Sequence, residues 1–147
     1  MEVPVKTLMS GSQTLRIRAV FATMNRAETA VRCVLALAGQ SRPPDLVVVA
    51  DNVSTDDTVE RLKELADLPF ELEVLRMPEN LGNAGGVEFA LSCAFGKGCD
   101  AVWILDDDSW PRNGALAELL GGEWDPRVVR HSIQIDPKSG ALTWPMQ

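Results

Sequence analysis

A doubly wound α/β domain, with a mostly parallel sheet and helices on both faces, is the fold class this sequence predicts. Three observations carry that expectation. Strand-like and helix-like segments alternate in order over residues 15–122. One of the strands, in "DLVVVAD", is apolar along its whole run, as strands covered on both faces are. Polar residues also gather directly after the apolar runs, at the edge where open α/β sheets bind ligands.

The elements follow in chain order. "LRIRAVFATMNR" alternates at Leu15, Ile17, Ala19 and Phe21 and closes on polar residues, which predicts a strand. "AETAVRCVLALAG" places Ala30, Val34, Leu37 and Ala38 on one helical face, with Asn25 expected as N-cap and Gly39 as the C′ residue. The turn "QSRPP" leads into the all-apolar second strand. In "NVSTDDTVERLKELAD", Ser54 and Asp57 approximate a capping box, and Val59, Leu62, Leu65 and Ala66 make the buried stripe of a second helix. "FELEVLR" is a third strand, "NLGNAGG" a glycine-rich turn, and "VEFALSCAFGKG" a third helix ending at Gly96 and Gly98. "AVWIL" is the fourth strand. "PRNGALAELLGG" is a short helix with Pro111 near its first turn. Beyond Gly122 the pattern weakens: "RVVRHSIQID" reads as a strand, "PKSG" as a turn and "ALTW" as a last strand.

Composition narrows the function. The chain has 147 residues, 46% hydrophobic and 24% charged, the size and balance of one soluble domain. A net charge of −7 disfavours non-specific binding to nucleic acid. No apolar run reaches the roughly 18–20 residues that span a bilayer. Residues 1–14, with Glu2 and no continuous apolar core, read as a flexible tail and not as a signal peptide. The three cysteines, Cys33, Cys93 and Cys99, lack metal-ligand spacing and read as reduced thiols, so a cytoplasmic location is expected.

Four polar segments would share the carboxyl edge of the sheet: "TMNR" (Thr23 to Arg26), "DN" (Asp51 and Asn52), "NLGNAGG" (Asn80 to Gly86) and "DDD" (Asp106 to Asp108). If the fourth strand continues, Asp106 and Asp108 project to one side and Asp107 to the other. Two carboxylates on one side call for a cation between them, and Mg²⁺ or Mn²⁺ suits such oxygen ligands. Alternatively the triplet is a solvated acidic loop. Asp51 either accepts hydrogen bonds from a base or ribose or begins the turn toward Ser54; position alone leaves both open. The glycines Gly85 and Gly86 allow backbone N–H groups close to a ligand, yet the stretch is neither G-x-G-x-x-G nor a P-loop. Arg26 is a cation in the first helical turn, where the dipole does not favour one, so a phosphate or base contact explains it better.

Together these segments resemble the nucleotide-sugar-binding half of family 2 glycosyltransferases, which have the GT-A fold. "VFATMNR", "RPPDLVVVADNVSTDDT", "NLGNAGG" and "VWILDDDSWP" match in order and spacing across residues 16–120. The match is most similar to the branch of rhamnosyl- and galactofuranosyl-transferases, where N-L-G-x-x-G-G precedes D-D-D. The resemblance implies that Thr23, Met24 and Arg26 flank the nucleotide, and that Asp51 binds its uracil or thymine ring. Asn80, Gly85, Gly86 and Asp107 complete the donor contacts, and Asp106 and Asp108 (the D-x-D pair) hold Mn²⁺ or Mg²⁺ against the diphosphate. It further implies inverting transfer from a UDP- or dTDP-sugar to a hydroxyl of a glycan or lipid-linked acceptor, with membrane association only through an acceptor or partner.

Residues 15–122 would then form the nucleotide-sugar-binding domain. Residues 123–147 would begin an acceptor-side segment that is incomplete, so the family's general base has no counterpart; Glu123, Asp125 and Asp136 are present but sit in no matching motif. Activity of this chain by itself is therefore open. An unfinished sheet edge after Trp144 would invite pairing with a second copy. The competing expectation is a non-catalytic α/β module, either a truncated transferase or a receiver-like domain, although "RVVRHSIQID" lacks the lysine a receiver needs. A sugar-phosphate nucleotidyltransferase is disfavoured because "FATMNR" has no glycine.

Overall fold

The apolar run after Arg16 forms the central strand β1 (Ile17–Thr23), buried at every position but Arg18. In the computed structural model, which describes residues 14–131, 133–136 and 138–141, β1 lies between β2 (Leu46–Asp51) and β4 (Ala101–Ile104), and β3 (Glu71–Arg76) pairs with the outer side of β2. The order is β3-β2-β1-β4, and every pairing is parallel. All six residues of β2 are buried, which is why its sequence shows no polar face.

Alternation divides the core in two. Odd-numbered Ala19, Phe21, Val47 and Val49 pack with Ala30, Cys33, Val34 and Leu37 of helix α1 (Ala27–Ala38) and with Leu62 of α2 (Thr58–Lys63). Even-numbered Val20, Ala22, Val48 and Ala50 pack with Ala90 and Ala94 of α3 (Gly82–Gly96). The chain passes outward from β1 to β2 to β3, then returns through α3 to β4 on the opposite side of β1. The carboxyl ends of β1 and β4 therefore flank the switch point, where doubly wound sheets form a binding crevice. No helix among the described residues is long and apolar enough to cross a membrane.

Several local expectations are corrected. Asn25 is not the N-cap of α1; Arg26 holds that place, and Asn25 is left-handed at φ 52°. Gly39 sits at the C-cap with φ −80°, not in a left-handed C′ conformation, and its N–H reaches Leu35 O. The capping box of Ser54 and Asp57 does not form: Ser54 Oγ accepts from Asn25 N–H instead, and Asp56 accepts from the N–H and hydroxyl of Thr58. Ala66 is exposed because α2 ends at Lys63. Of the "NLGNAGG" glycines, Gly82 is left-handed at φ 70° where the chain turns into α3, and Gly85 and Gly86 lie within that helix.

Downstream, α4 (Ala115–Leu119) starts later than expected, with Gly114 and not Pro111 at its start. Gln40, buried at the end of α1, holds this region: its amide donates to Arg112 O at 2.7 Å and accepts from Leu116 N–H at 3.1 Å. The strand expected over "RVVRHSIQID" is absent among the described residues, apart from one bridge at Ile135. Val129 is 92% exposed, so its alternation has no surface to bury against. The turn after it does form, with Asp136 Oδ1 accepting from the N–H groups of Lys138 and Ser139. The expected strand ending at Trp144, its edge, and most of the N-terminal tail lie outside the described residues.

Candidate functional site

The loops after β1 and β2 are tied together by hydrogen bonds. Register sets Thr23 beside Asp51 and Asp51 beside Arg76. The left-handed turn at Asn25 lets its side-chain oxygen accept from Thr55 N–H at 2.7 Å, and its own N–H reach Ser54 Oγ at 2.9 Å. Arg26 N–H donates to Thr58 Oγ1. Asn tolerates that backbone; Val53, at φ 61°, is a β-branched residue in the same region and is strained.

Arg26 is thereby presented to the acidic triplet across the switch point. Its Nη1 donates to Asp107 Oδ1 at 3.1 Å and to Asp108 Oδ2 at 3.2 Å. The second oxygen of Asp107 accepts from the buried Thr23 hydroxyl at 2.8 Å. These acids raise the guanidinium's affinity for its proton, Asp107 most of all. Asp107 does part from Asp106 and Asp108, as alternation has it, but not because the strand runs on. β4 ends at Ile104 and residues 107 and 108 lie in a turn, which folds Asp107 inward while Asp106 and Asp108 remain exposed.

The platform beneath the triplet is α1. Cys33 is fully buried, with Sγ 3.8 Å from the carbonyls of Asp106 and Ser109. Burial first, then the nearby charges of Asp107, Asp106 and Asp108, push its thiol up to about 12. Trp110 fixes the far end of the loop: Arg32 stacks 3.7 Å from its ring centroid, and its indole N–H points to Thr29 O at 3.4 Å.

The remaining candidates fall on both sides of this cluster. Met24 and Asn80 meet, with Asn80 Nδ2 3.0 Å from Met24 Sδ, while Asn80 Oδ1 accepts from Gly82 N–H. Asp51 is fully buried; both its oxygens accept from Ser54 N–H, and Arg76 Nε stands 3.9 Å away. Its carboxylate thus starts the turn, one of the two roles its position allowed. Gly86 is buried under β1 and β2, where a Cβ would fall 2.6 Å from Ala22 Cβ and 2.7 Å from Asn52 Nδ2. A Cβ on Gly85 would strike Leu81 at 2.4 Å. Both glycines therefore answer to packing within and beneath α3. Glu88 is exposed.

Asn52, singled out in sequence only as part of "DN", is the hinge between β2 and α3. Its amide donates to Gly82 O at 3.0 Å and its oxygen accepts from Leu81 N–H at 3.4 Å. A buried amide directly after an apolar strand was the available signal. Of the spare acids, Asp125 is paired with Arg127 and Asp136 accepts two backbone N–H groups, and each carboxyl is held below its usual range.

No group of three or more His, Cys, Asp or Glu side chains that could hold a metal occurs among the described residues. A Mg²⁺-type site built with substrate phosphates needs only one or two carboxylates. The exposed carboxylates of Asp106 and Asp108 offer oxygen donors of the kind a divalent cation takes, and a diphosphate would supply the rest. Two concavities, of about 360 Å³ between α2 and β3 and about 440 Å³ around residues 123–127, lie away from this edge.

Residues 19–122 match the model of the family described as glycosyl transferase family 2. The galactofuranosyltransferase GlfT1 of Mycobacterium tuberculosis is 33% identical over 108 residues, covering 73% of this chain and 35% of that protein. The succinoglycan biosynthesis protein ExoU of Rhizobium meliloti is 28% identical over 107 residues, covering 72% of this chain and 30% of that one. The chain thus spans about a third of the length of these relatives. Among solved structures, a mannosyltransferase of Pyrobaculum calidifontis in complex with GDP-Man and Mn²⁺ superposes with a TM-score of 0.72 and 27% identity, covering 87% of this chain and 38% of that one. S. aureus TarS in complex with UDP gives 0.62 at 23% identity, covering 71% and 30%, a likeness of fold.

Proposed function

Because the chain belongs to glycosyl transferase family 2 and has the GT-A type of sheet, we propose that its carboxyl edge binds a nucleoside-diphosphate sugar, a UDP- or dTDP-sugar, together with Mn²⁺ or Mg²⁺. The observation that carries this reading is the cluster of Thr23, Arg26, Asp107 and Asp108 at the switch point. It sets one cation and one exposed carboxylate, that of Asp108, at the one place where this topology opens a crevice. The Pyrobaculum mannosyltransferase bound to GDP-Man and Mn²⁺ lends support for the nucleotide and metal classes.

In this reading residues 15–122 are the donor domain and residues 123–147 belong to the acceptor side. Asp106 and Asp108, exposed at the loop surface, would hold the cation. Bound there, it would offset charge on the departing diphosphate. Asp107 instead fixes the loop, with one oxygen on Thr23 and the other on Arg26. Arg26 offers a fork of N–H donors to phosphate oxygens. Met24 and Asn80 line the nucleotide side, with Asp51 and its Ser54 turn at the base end. An acceptor hydroxyl of a glycan or lipid-linked sugar would attack the anomeric carbon opposite the diphosphate, inverting the configuration.

Calorimetric titration of UDP and dTDP, with Mn²⁺ and then with chelator, tests this. Binding should require the metal and weaken more than about tenfold in Asp108→Ala. A folded protein that binds neither nucleotide under either condition refutes the donor site.

A further inference from the structure

Three acids in succession need a counter-charge whether or not a donor is bound. Arg26 is the sole cationic side chain paired with the triplet among the described residues. Helix α1 does not favour it there: Arg26 stands at the N-cap, where the dipole opposes a cation. Two of its bonds leave from one nitrogen, so a single guanidinium corner occupies the space between the two carboxylates. The two acids differ in freedom. Asp107's side chain is 9% exposed and also bound to Thr23, whereas Asp108's is 56% exposed and its carboxylate hydrogen-bonds to Arg26 alone among the described residues. The Arg26 side chain is itself 53% exposed, so water lies on the side toward which it can turn.

We infer that Arg26 is the resident counter-ion of the acidic loop and competes with the divalent cation for Asp108, so that the cation's arrival frees the guanidinium for the donor's diphosphate. This rests on the donor-site reading above and adds an order to it. The metal and the arginine share one carboxylate; the arginine and the metal then share one diphosphate. Cation binding without nucleotide is opposed by Arg26, and cation binding with nucleotide is helped by it. The same side chain therefore carries opposite signs in the two states.

That reversal is the test. Mn²⁺ affinity is measured without nucleotide, from the electron paramagnetic resonance signal of free Mn²⁺, for the wild type, Arg26→Ala and Arg26→Lys. UDP affinity is then measured calorimetrically at saturating Mn²⁺, and circular dichroism checks that each variant is folded. Arg26→Ala should bind Mn²⁺ about two- to fivefold more tightly than wild type, the range expected from losing a partly exposed ion pair at a shared carboxylate. It should bind UDP more weakly. Arg26→Lys, which keeps the charge and loses the fork, should stay near wild type for Mn²⁺ yet still lose UDP affinity. If the wild type binds Mn²⁺ and UDP but Arg26→Ala binds Mn²⁺ no more tightly, the competition is overturned and the donor site stands. If Arg26→Ala is unfolded, Arg26→Lys decides: unchanged UDP affinity in that variant overturns the inference. Failure of the wild type to bind either ligand overturns both readings.

Discussion

Two glycines of α3 predict opposite outcomes for one substitution. At Gly86 a Cβ would lie 2.6 Å from Ala22 Cβ and 2.7 Å from Asn52 Nδ2, both inside contact distance. Ala22 belongs to the central strand and Asn52 holds the first turn of α3, so neither yields without moving a neighbour. Overpacking of this kind costs about 1–3 kcal/mol. Removing a glycine from a helix returns about 0.5–1 kcal/mol. Gly86→Ala should therefore destabilise by about 1–2 kcal/mol, lowering the melting temperature by about 3–6 °C in a chain of this length. At Gly96, the last residue of the same helix, a Cβ meets nothing within 4 Å. Gly96→Ala should stabilise by up to about 0.8 kcal/mol, the propensity gain alone. Urea unfolding of both variants, followed by circular dichroism at unchanged slope, reads the two signs. A neutral or stabilising Gly86→Ala would refute the packing account and return that glycine to ligand approach.

The other predictions concern strain and a buried staple. Val53→Gly removes a β-branched residue from the left-handed region at φ 61°. The strain of about 1–2 kcal/mol exceeds the added freedom of the unfolded chain, about 0.5–1 kcal/mol, so the urea midpoint should rise; a fall would mean that Val53's packing outweighs its backbone. Gln40→Ala strips the partners from Arg112 O and Leu116 N–H and should cost about 2–3 kcal/mol. Limited proteolysis of that variant should cut first within residues 111–121; unchanged protection there would contradict the role given to Gln40.

The sheet was legible because its signals are local. Five consecutive apolar residues made β2, the spacing of Ala30, Val34 and Leu37 made α1, and their order made the topology. What failed were the ends of elements, and they failed for one reason. Capping rules give Asn25, Ser54 and Asp57 each to the nearest helix. In the structure Asn25 and Ser54 serve each other's loops, 29 residues apart, and Asp56 takes the place of Asp57. The glycines of "NLGNAGG" suggest a turn because they weaken a helix. Gly82 does take a turn's left-handed conformation at φ 70°, but Gly86 is helical because α3 must lie close to Ala22, a tertiary demand that outweighs propensity.

The acidic triplet shows the same limit at the site. Its place at the carboxyl edge followed from the strand before it, and alternation set Asp107 apart from Asp106 and Asp108, but the partners that fix Asp107 were not legible. Alternation assumed that β4 runs on through Asp108, whereas it stops at Ile104 and the next turn hands Asp107 to Thr23 and Arg26. Arg26 and Asp107 are 81 residues apart, and only the return of the chain across β1 makes them neighbours. That return also explains how three like charges can stand together. Asp107 gives up water for two hydrogen bonds, Asp108 shares a guanidinium, and Asp106 keeps its solvent. The repulsion is shared among solvent, a hydroxyl and one guanidinium, so Asp107 anchors the turn while Asp106 and Asp108 stay open to solvent.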